Sequence, residues 1–200
     1  MEDAEVLKAV LGHQHAFLGL PSRVWRFAPD GRELPYQIVK FSDRPLHDAA
    51  TFSTLGLSLI PCRQRAGIGE SHDVRLELII SVYNWIEDWA VVRIMMAFAD
   101  TITRERTAPY NAEVINWGQP IRSDNPQFRY LYCTHPLLLE EEFARMDSTF
   151  PPTIFVALYP ITQEEASYAT DYGLELSEKL IKERADLLAF DERPATISVL

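Results

Sequence analysis

The sequence predicts an α+β or mixed α/β fold, a mixed β-sheet packed with about three helices, in a single domain over residues 1–200. Three observations carry this. Residues Val74 to Tyr83 alternate with period two, placing Val74, Leu76, Leu78, Ile80 and Val82 on one parity and Arg75 and Glu77 on the other, the pattern of a half-buried strand. Two stretches, from Ala4 and from Trp85, repeat apolar residues at helical spacing, and a third opens on a capping box at Thr162. Strands and helices do not alternate in a sustained way, which argues against a doubly wound parallel sheet.

Each element follows from local chemistry. Ala4 to Leu18 reads as a helix because Val6, Leu7, Val10, Leu11 and Phe17 share a stripe, and Gly19 and Pro21 end it. Leu34 to Phe41 is a strand with Pro35 at its start, where a missing ladder donor is tolerated. Thr51 to Pro61 alternates as another, with Leu55, Leu57 and Leu59 on one parity and Gly56 at a bulge or a point of close approach. Gly67-Ile68-Gly69 marks a turn before the Val74 strand. Trp85 to Arg104 is the central helix, its stripe running through Ile86, Trp89, Met96 and Ala99, with Pro109 closing the region.

Tyr110 to Phe128 is loop-rich, with turn signals at Asn116-Trp117-Gly118-Gln119-Pro120 and Asp124-Asn125-Pro126. Phe128 to Cys133 is a short aromatic strand, and Thr153 to Pro160 is an apolar one bounded by prolines. Thr162 and Glu165 form the capping box of a helix running towards Arg184, with acids at its start and Lys179, Lys182 and Arg184 near its end, as the helix dipole favours. Gly173 inside that helix implies a close approach to its backbone. Leu187 to Leu200 is expected to supply one or two edge strands.

Composition narrows the class. With 47% hydrophobic and 24% charged residues, the chain has the apolar surface a disordered one lacks. Nineteen basic residues against 29 acidic ones give a formal charge of −10. That field works against nucleic acid and anionic membranes and suits a basic protein partner. Cys62 and Cys133 read as buried free thiols rather than a disulfide framework. Met1-Glu2-Asp3 is no basic leader, and no segment approaches the ~20 apolar residues of a membrane span. A soluble, cytoplasmic protein is the expectation.

Tests for chemistry find little. Gly56-Leu57-Ser58-Leu59-Ile60 begins like a nucleophile elbow, but Ile60 replaces its second glycine and Pro61 follows in place of a helix. Cys133-Thr134-His135 brings a thiol and an imidazole onto one side of an extended strand, with nothing nearby to lower the thiol pKa. His13 and His15 are two apart, so on a helix they face different directions and form no metal pair. The carboxylate runs Glu140-Glu141-Glu142 and Glu164-Glu165 read as solvated helix starts. Gly67-Ile68-Gly69 lacks the third glycine of a dinucleotide fingerprint. Trp85, Trp89, Trp117, Tyr130 and Tyr132 have no basic groove to make them a base-stacking platform. No cofactor, metal or catalytic set is expected.

Ser53-Thr54-Leu55-Gly56-Leu57-Ser58, then a turn, then Arg75-Leu76-Glu77-Leu78, resembles the signature of the suppressor-of-fused domain family. In order after it, Asn116-Trp117-Gly118 is similar to the family's mid-domain turn. Tyr159-Pro160-Ile161-Thr162, Glu165 and Gly173 resemble its late strand, capped helix and helix glycine, and Asp191-Glu192-Arg193 with Ser198 its closing segment.

The resemblance implies a mixed α/β domain that binds proteins and is not an enzyme. For stand-alone bacterial members of this length it implies an immunity protein, binding and neutralising a cognate polymorphic toxin in the cytoplasm; a basic toxin domain would suit the charge. It further implies partner contacts at Phe52, Thr54, Ser58 and Glu77, by strand addition, where main-chain bonds give affinity and alternate side chains selectivity. Two alternatives stand beside it: a general peptide-binding regulatory adaptor, and a small hydrolase using Ser58 or Cys133 with a histidine.

Overall fold

The computed structural model describes residues 2–64, 73–121, 125–182, 186–190, 193 and 195. Helix α1 (Asp3–Leu18) opens on Glu2, whose N–H donates to the Glu5 carboxylate at 3.3 Å. Strands β1 (Arg23–Phe27), β2 (Glu33–Ser42) and β3 (Ala49–Leu55) follow, then β4 (Cys62–Gln64), β5 (Asp73–Tyr83), α2 (Asp88–Glu105) and β6 (Thr107–Ala108). After β7 (Glu113–Asn116), β8 (Phe128–Thr134), β9 (Arg145–Met146) and β10 (Thr153–Thr162) come helices α3 (Gln163–Tyr172) and α4 (Glu175–Lys182). Short 3-10 turns lie at Leu57–Leu59, Glu141–Ala144 and Leu187–Ala189.

The main sheet runs β1-β2-β3-β5-β10-β8-β7. Every neighbouring pair on this path is antiparallel except β5 and β10, which pair in parallel from Thr153↔Arg75 to Ala157↔Ile79. β4 pairs with the start of β5 and carries β6 in parallel on its other side.

Helices cover both faces, and this decides which side chains are buried. Leu76, Leu78, Ile80 and Val82 of β5 join one core with Val91, Met95, Ala99 and Ile102 of α2. Ile79 of β5 joins a second core with Val6 and Val10 of α1, Ala166 and Ala169 of α3, and Leu176 and Leu180 of α4. The sheet is therefore buried on both sides, as sheets containing parallel pairs usually are. Arg75 and Glu77 fall on the α1 side, 8% and 0% exposed. The alternation on β5 is real, but its polar parity does not face water; it faces a second layer.

The structure corrects several expectations. The strand expected to Pro61 ends at Leu55, because Gly56 takes a φ of +100° and turns the chain into the 3-10 turn. The central helix starts at Asp88, leaving Trp85 in the preceding turn. The last helix is two helices: Gly173 caps α3 with a φ of +57°, and a side chain there would meet nothing within 4 Å. Its glycine serves a left-handed cap, not a close approach. Among the described residues there are four helices, against an expectation of about three.

The loop-rich segment contains β7, and β1 is an additional strand in which only Trp25 is buried. In the closing segment Leu187–Ala189 is a 3-10 turn in place of a strand; Asp191, Glu192 and Ser198 lie outside the described residues, as does Gly67-Ile68-Gly69. The capping box is present as expected, with Thr162 accepting from the Glu165 N–H and the Glu165 carboxylate accepting from the Thr162 N–H at 2.9 Å. Among the described residues, no helix is long and apolar enough to cross a membrane.

Candidate binding cleft and the buried motif behind it

The four residues expected to touch a partner are all 0% exposed. Phe52 stacks on Trp25 with ring centroids 5.8 Å apart, beneath the Lys40 ammonium. Glu77 is the centre of the other three. Its Oε1 accepts from the Gly56 N–H at 2.9 Å, the Ser58 N–H at 3.2 Å and the Ser58 hydroxyl at 2.7 Å, and its Oε2 accepts from the Thr54 hydroxyl at 2.5 Å. Thr54 Oγ1 in turn accepts from the Leu78 N–H at 2.8 Å.

Burial pushes the Glu77 pKa up, and these hydrogen bonds pull it down again without cancelling the rise. Arg75 donates to the Ser58 carbonyl at 2.7 Å, and Gln14 of α1 donates to Ser53 Oγ and the Thr54 carbonyl, both at 2.8 Å. The Thr54–Ser58 turn is thus knotted to β5 by one carboxylate. The geometry corrects the expectation of a solvent-facing Glu77: every residue of the motif is occupied inward, because the sheet has two covered faces.

β10 shows what the motif stands behind. On the edge away from β5, it pairs with β9 at Thr153↔Met146 and Ile154↔Arg145, and with β8 from Ala157↔Thr134 onward. Phe155 and Val156 fall between these two ladders. The chain leaves β8 at Thr134 and returns only at Arg145, so a gap two residues wide opens along the edge. There lies a cleft of about 150 Å³, lined by Tyr110, Asn111, Thr134, His135, Phe155 and Val156 among others; among the described residues no Asp, Glu, Lys or Arg lines it. Phe155 is the register partner of Glu77 across the parallel pair, which places the buried motif one strand behind the gap.

The cleft's mouth is held by a strained turn. Ala112 takes a φ of +72°, a conformation L side chains avoid. It is kept there by the Tyr110 N–H donating to the Glu113 carboxylate at 3.0 Å and the Ala112 N–H donating to the Cys133 carbonyl at 2.8 Å. The Thr134 hydroxyl donates to Asn111 Oδ1 at 2.8 Å. Tyr110, Asn111 and Phe155 were not found by sequence reasoning; the clue available was Pro109-Tyr110-Asn111, a turn signal read only as loop.

The candidate nucleophiles are placed as follows. Ser58 donates to Glu77 and is 0% exposed. Cys133 and His135 both line the cleft, but Cys133 is 0% exposed and His135 Nδ1 lies 3.3 Å from Thr134 Oγ1. Burial pushes the other thiol, Cys62, up to about 11. His13 is a packing residue, stacked on Phe143 and Phe155 at 5.4 and 5.0 Å. Among the described residues, no group of three or more His, Cys, Asp or Glu converges as a metal site would require.

A family model described as suppressor of fused protein matches residues 32–193. The chain belongs to the suppressor of fused family. Three solved structures share its fold. A suppressor of fused homologue from Neisseria gonorrhoeae FA 1090 superposes with a TM-score of 0.67 at 18% identity, covering 98% of this chain and 100% of that one. The Sufu–Fu complex gives 0.67 at 12% identity, over 96% and 91%. Drosophila Suppressor of Fused gives 0.65 at 13% identity, over 96% of this chain and 50% of the Drosophila one. No curated protein matches the chain. Within the matched span, Glu77 and the Thr54–Ser58 turn hold the sheet together at its centre, and Glu165 with Arg193 holds its end: Arg193 grips the carboxylate with two nitrogens, both at 2.7 Å, and also donates to the Pro160 carbonyl at 3.1 Å.

Proposed function

We propose that this member of the suppressor of fused family is a non-catalytic protein-binding domain, and that it acts as an immunity protein, binding and neutralising a basic toxin domain in the cytoplasm. The observation that carries the binding role is the two-residue interruption of the β10 edge at Phe155 and Val156, opening into an uncharged cleft. An extended segment of a partner fits such a site, because backbone groups at a strand edge supply affinity while a cleft of this size takes one neutral side chain. The captured complex of a relative, Sufu with Fu, supports protein binding as the family's mode. The net charge of −10 supports a basic partner through steering.

In this reading Phe52, Thr54, Ser58 and Glu77 contribute to binding from behind, by fixing β5 against β10, and the partner touches the cleft in front. The test is co-expression with the products of the neighbouring genes, followed by co-purification and calorimetry. Asn111 is exposed at the cleft's mouth and accepts from Thr134, so Asn111→Trp is expected to weaken the complex at least tenfold, and more than Asn111→Ala, which loses the same hydrogen bond without filling the cleft. Equal binding by the variant removes the cleft, and no complex with any neighbouring product removes the immunity role.

A further inference from the structure

At the far end of β5 from the cleft, roughly 20 Å away along the strand, an aromatic pair meets solvent. Tyr83 is the last residue of β5 and Trp85 lies in the turn before α2. Their rings stack with centroids 4.0 Å apart and planes 16° from parallel. Trp85 is 62% exposed. The other tryptophans are used otherwise: Trp25 is buried against Phe52, and Trp89 and Trp117 pack on the α2 core. Trp85 alone turns its indole outward, one face on Tyr83 and the other in water. Leu46, 58% exposed, sits in the loop that precedes β3, whose first residue pairs with Tyr83.

Three exposed carboxylates gather around this pair. Burial and the nearby carboxylate of Asp186, itself exposed, push the Tyr83 pKa up. The Asn84 N–H donates to the Asp48 carbonyl at 2.9 Å, which brings the exposed Asp48 to the same turn. Glu87, also exposed, precedes α2 two residues after Trp85. Among the described residues none of these three carboxylates is in an ion pair. Their neighbours on the same helix are: Asp88 is held by Arg23 and Lys40 at 3.1 and 2.7 Å, and Asp100 by Arg32 at 2.8 Å. On this end of the loop Arg44 donates to its neighbour's carbonyl, and His47 Nδ1 lies 3.4 Å from the Asp43 carboxylate.

We propose that Trp85 and Tyr83 form a docking platform for an arginine side chain of a basic polypeptide. The guanidinium stacks on the free indole face, and the carboxylates of Asp48, Glu87 and Asp186 balance its charge. A planar cation matches a flat ring better than an ammonium does, and a pre-stacked aromatic pair loses little entropy on binding. The surface deepens the protein-binding reading but uses residues distinct from the cleft.

The test titrates capped Gly-Arg-Gly-Arg-Gly and its citrulline twin into the isotope-labelled protein and follows the Trp85 indole N–H, assigned by its loss in Trp85→Ala. Saturable shifts confined to Trp85, Tyr83 and their turn, at least tenfold weaker for citrulline, are expected. Glu87→Gln with Asp186→Asn is expected to weaken the arginine peptide at least threefold, and Asn111→Trp to leave it unchanged, so that this site and the cleft fail separately. Equal response to citrulline, or shifts centred on the acidic helices α3 and α4, overturns the platform.

Discussion

Among the described residues two glutamates are 0% exposed, Glu77 and Glu165, and they are satisfied by opposite means. Glu77 takes its hydrogen bonds from neutral donors in a turn some twenty residues upstream, two N–H groups and two hydroxyls. Glu165 takes a bidentate fork from Arg193, a cation 28 residues downstream and itself 2% exposed. The first arrangement holds the carboxyl with neutral donors alone, and burial pushes its pKa up against the pull of those hydrogen bonds. The second admits two opposite charges together and depends on both. Buried acids in one small domain therefore serve different ends: Glu77 shapes a turn, while Glu165 ties the end of the chain to a helix start.

The comparison breaks most sharply at Glu77. Glu77→Ala strands the Thr54 and Ser58 hydroxyls and two backbone N–H groups, and is expected to cost about 4 kcal/mol in urea unfolding. Arg193→Met leaves Glu165 buried without its cation and is expected to cost about 3 kcal/mol; adding Glu165→Gln should recover more than half of that, because the buried charge goes with its partner. A double variant no more stable than the single one means that Arg193 acts chiefly by packing on Phe128, over whose ring it lies at 5.2 Å.

The pH response separates the two nodes further. The folded-state pKa of Glu77 lies above its ordinary value of 4.5, so the native protein holds a proton that the unfolded chain releases. Its contribution to stability is complete below that ordinary value and is lost as pH rises through the folded one. Glu77→Gln, tolerated because it keeps the shape and an acceptor oxygen, is expected to flatten that decline; an unchanged pH profile shows the carboxyl ionised in the fold. The smallest effect belongs to the turn itself. Gly56→Ala forces a side chain into a φ of +100° and is expected to lower stability by about 1–2 kcal/mol, read as a lower urea midpoint.

Much of the frame is legible from local pattern. The period-two run of β5, the proline-bounded β10 and the Thr162–Glu165 capping box each announce themselves within a dozen residues. What fails is everything decided by a second layer. Arg75 and Glu77 read as a solvent face because one strand cannot show that α1 covers it. Arg23 to Phe27 shows no strand pattern because only Trp25 needs burying. Gly173 reads as crowded because cost was visible and backbone angle was not. The cleft was beyond reach for a further reason: it is an interruption between two ladders on one strand, and no residue in it has an unusual chemistry. The motif that carries the family resemblance is the buried support, where several hydrogen bonds converge on one carboxylate.

The parallel seam between β5 and β10 has a consequence for how the protein is made. Everything through β5 is a meander of near neighbours that a nascent chain can assemble as it emerges. The strand that seals β5 is translated long afterwards. Until then β5, the central strand of the sheet, presents an open edge, the kind that captures other chains. Biosynthesis thus leaves a window of vulnerability whose length is set by the speed of elongation, and slowing translation between Tyr83 and Thr153 widens it without altering a single contact in the finished fold.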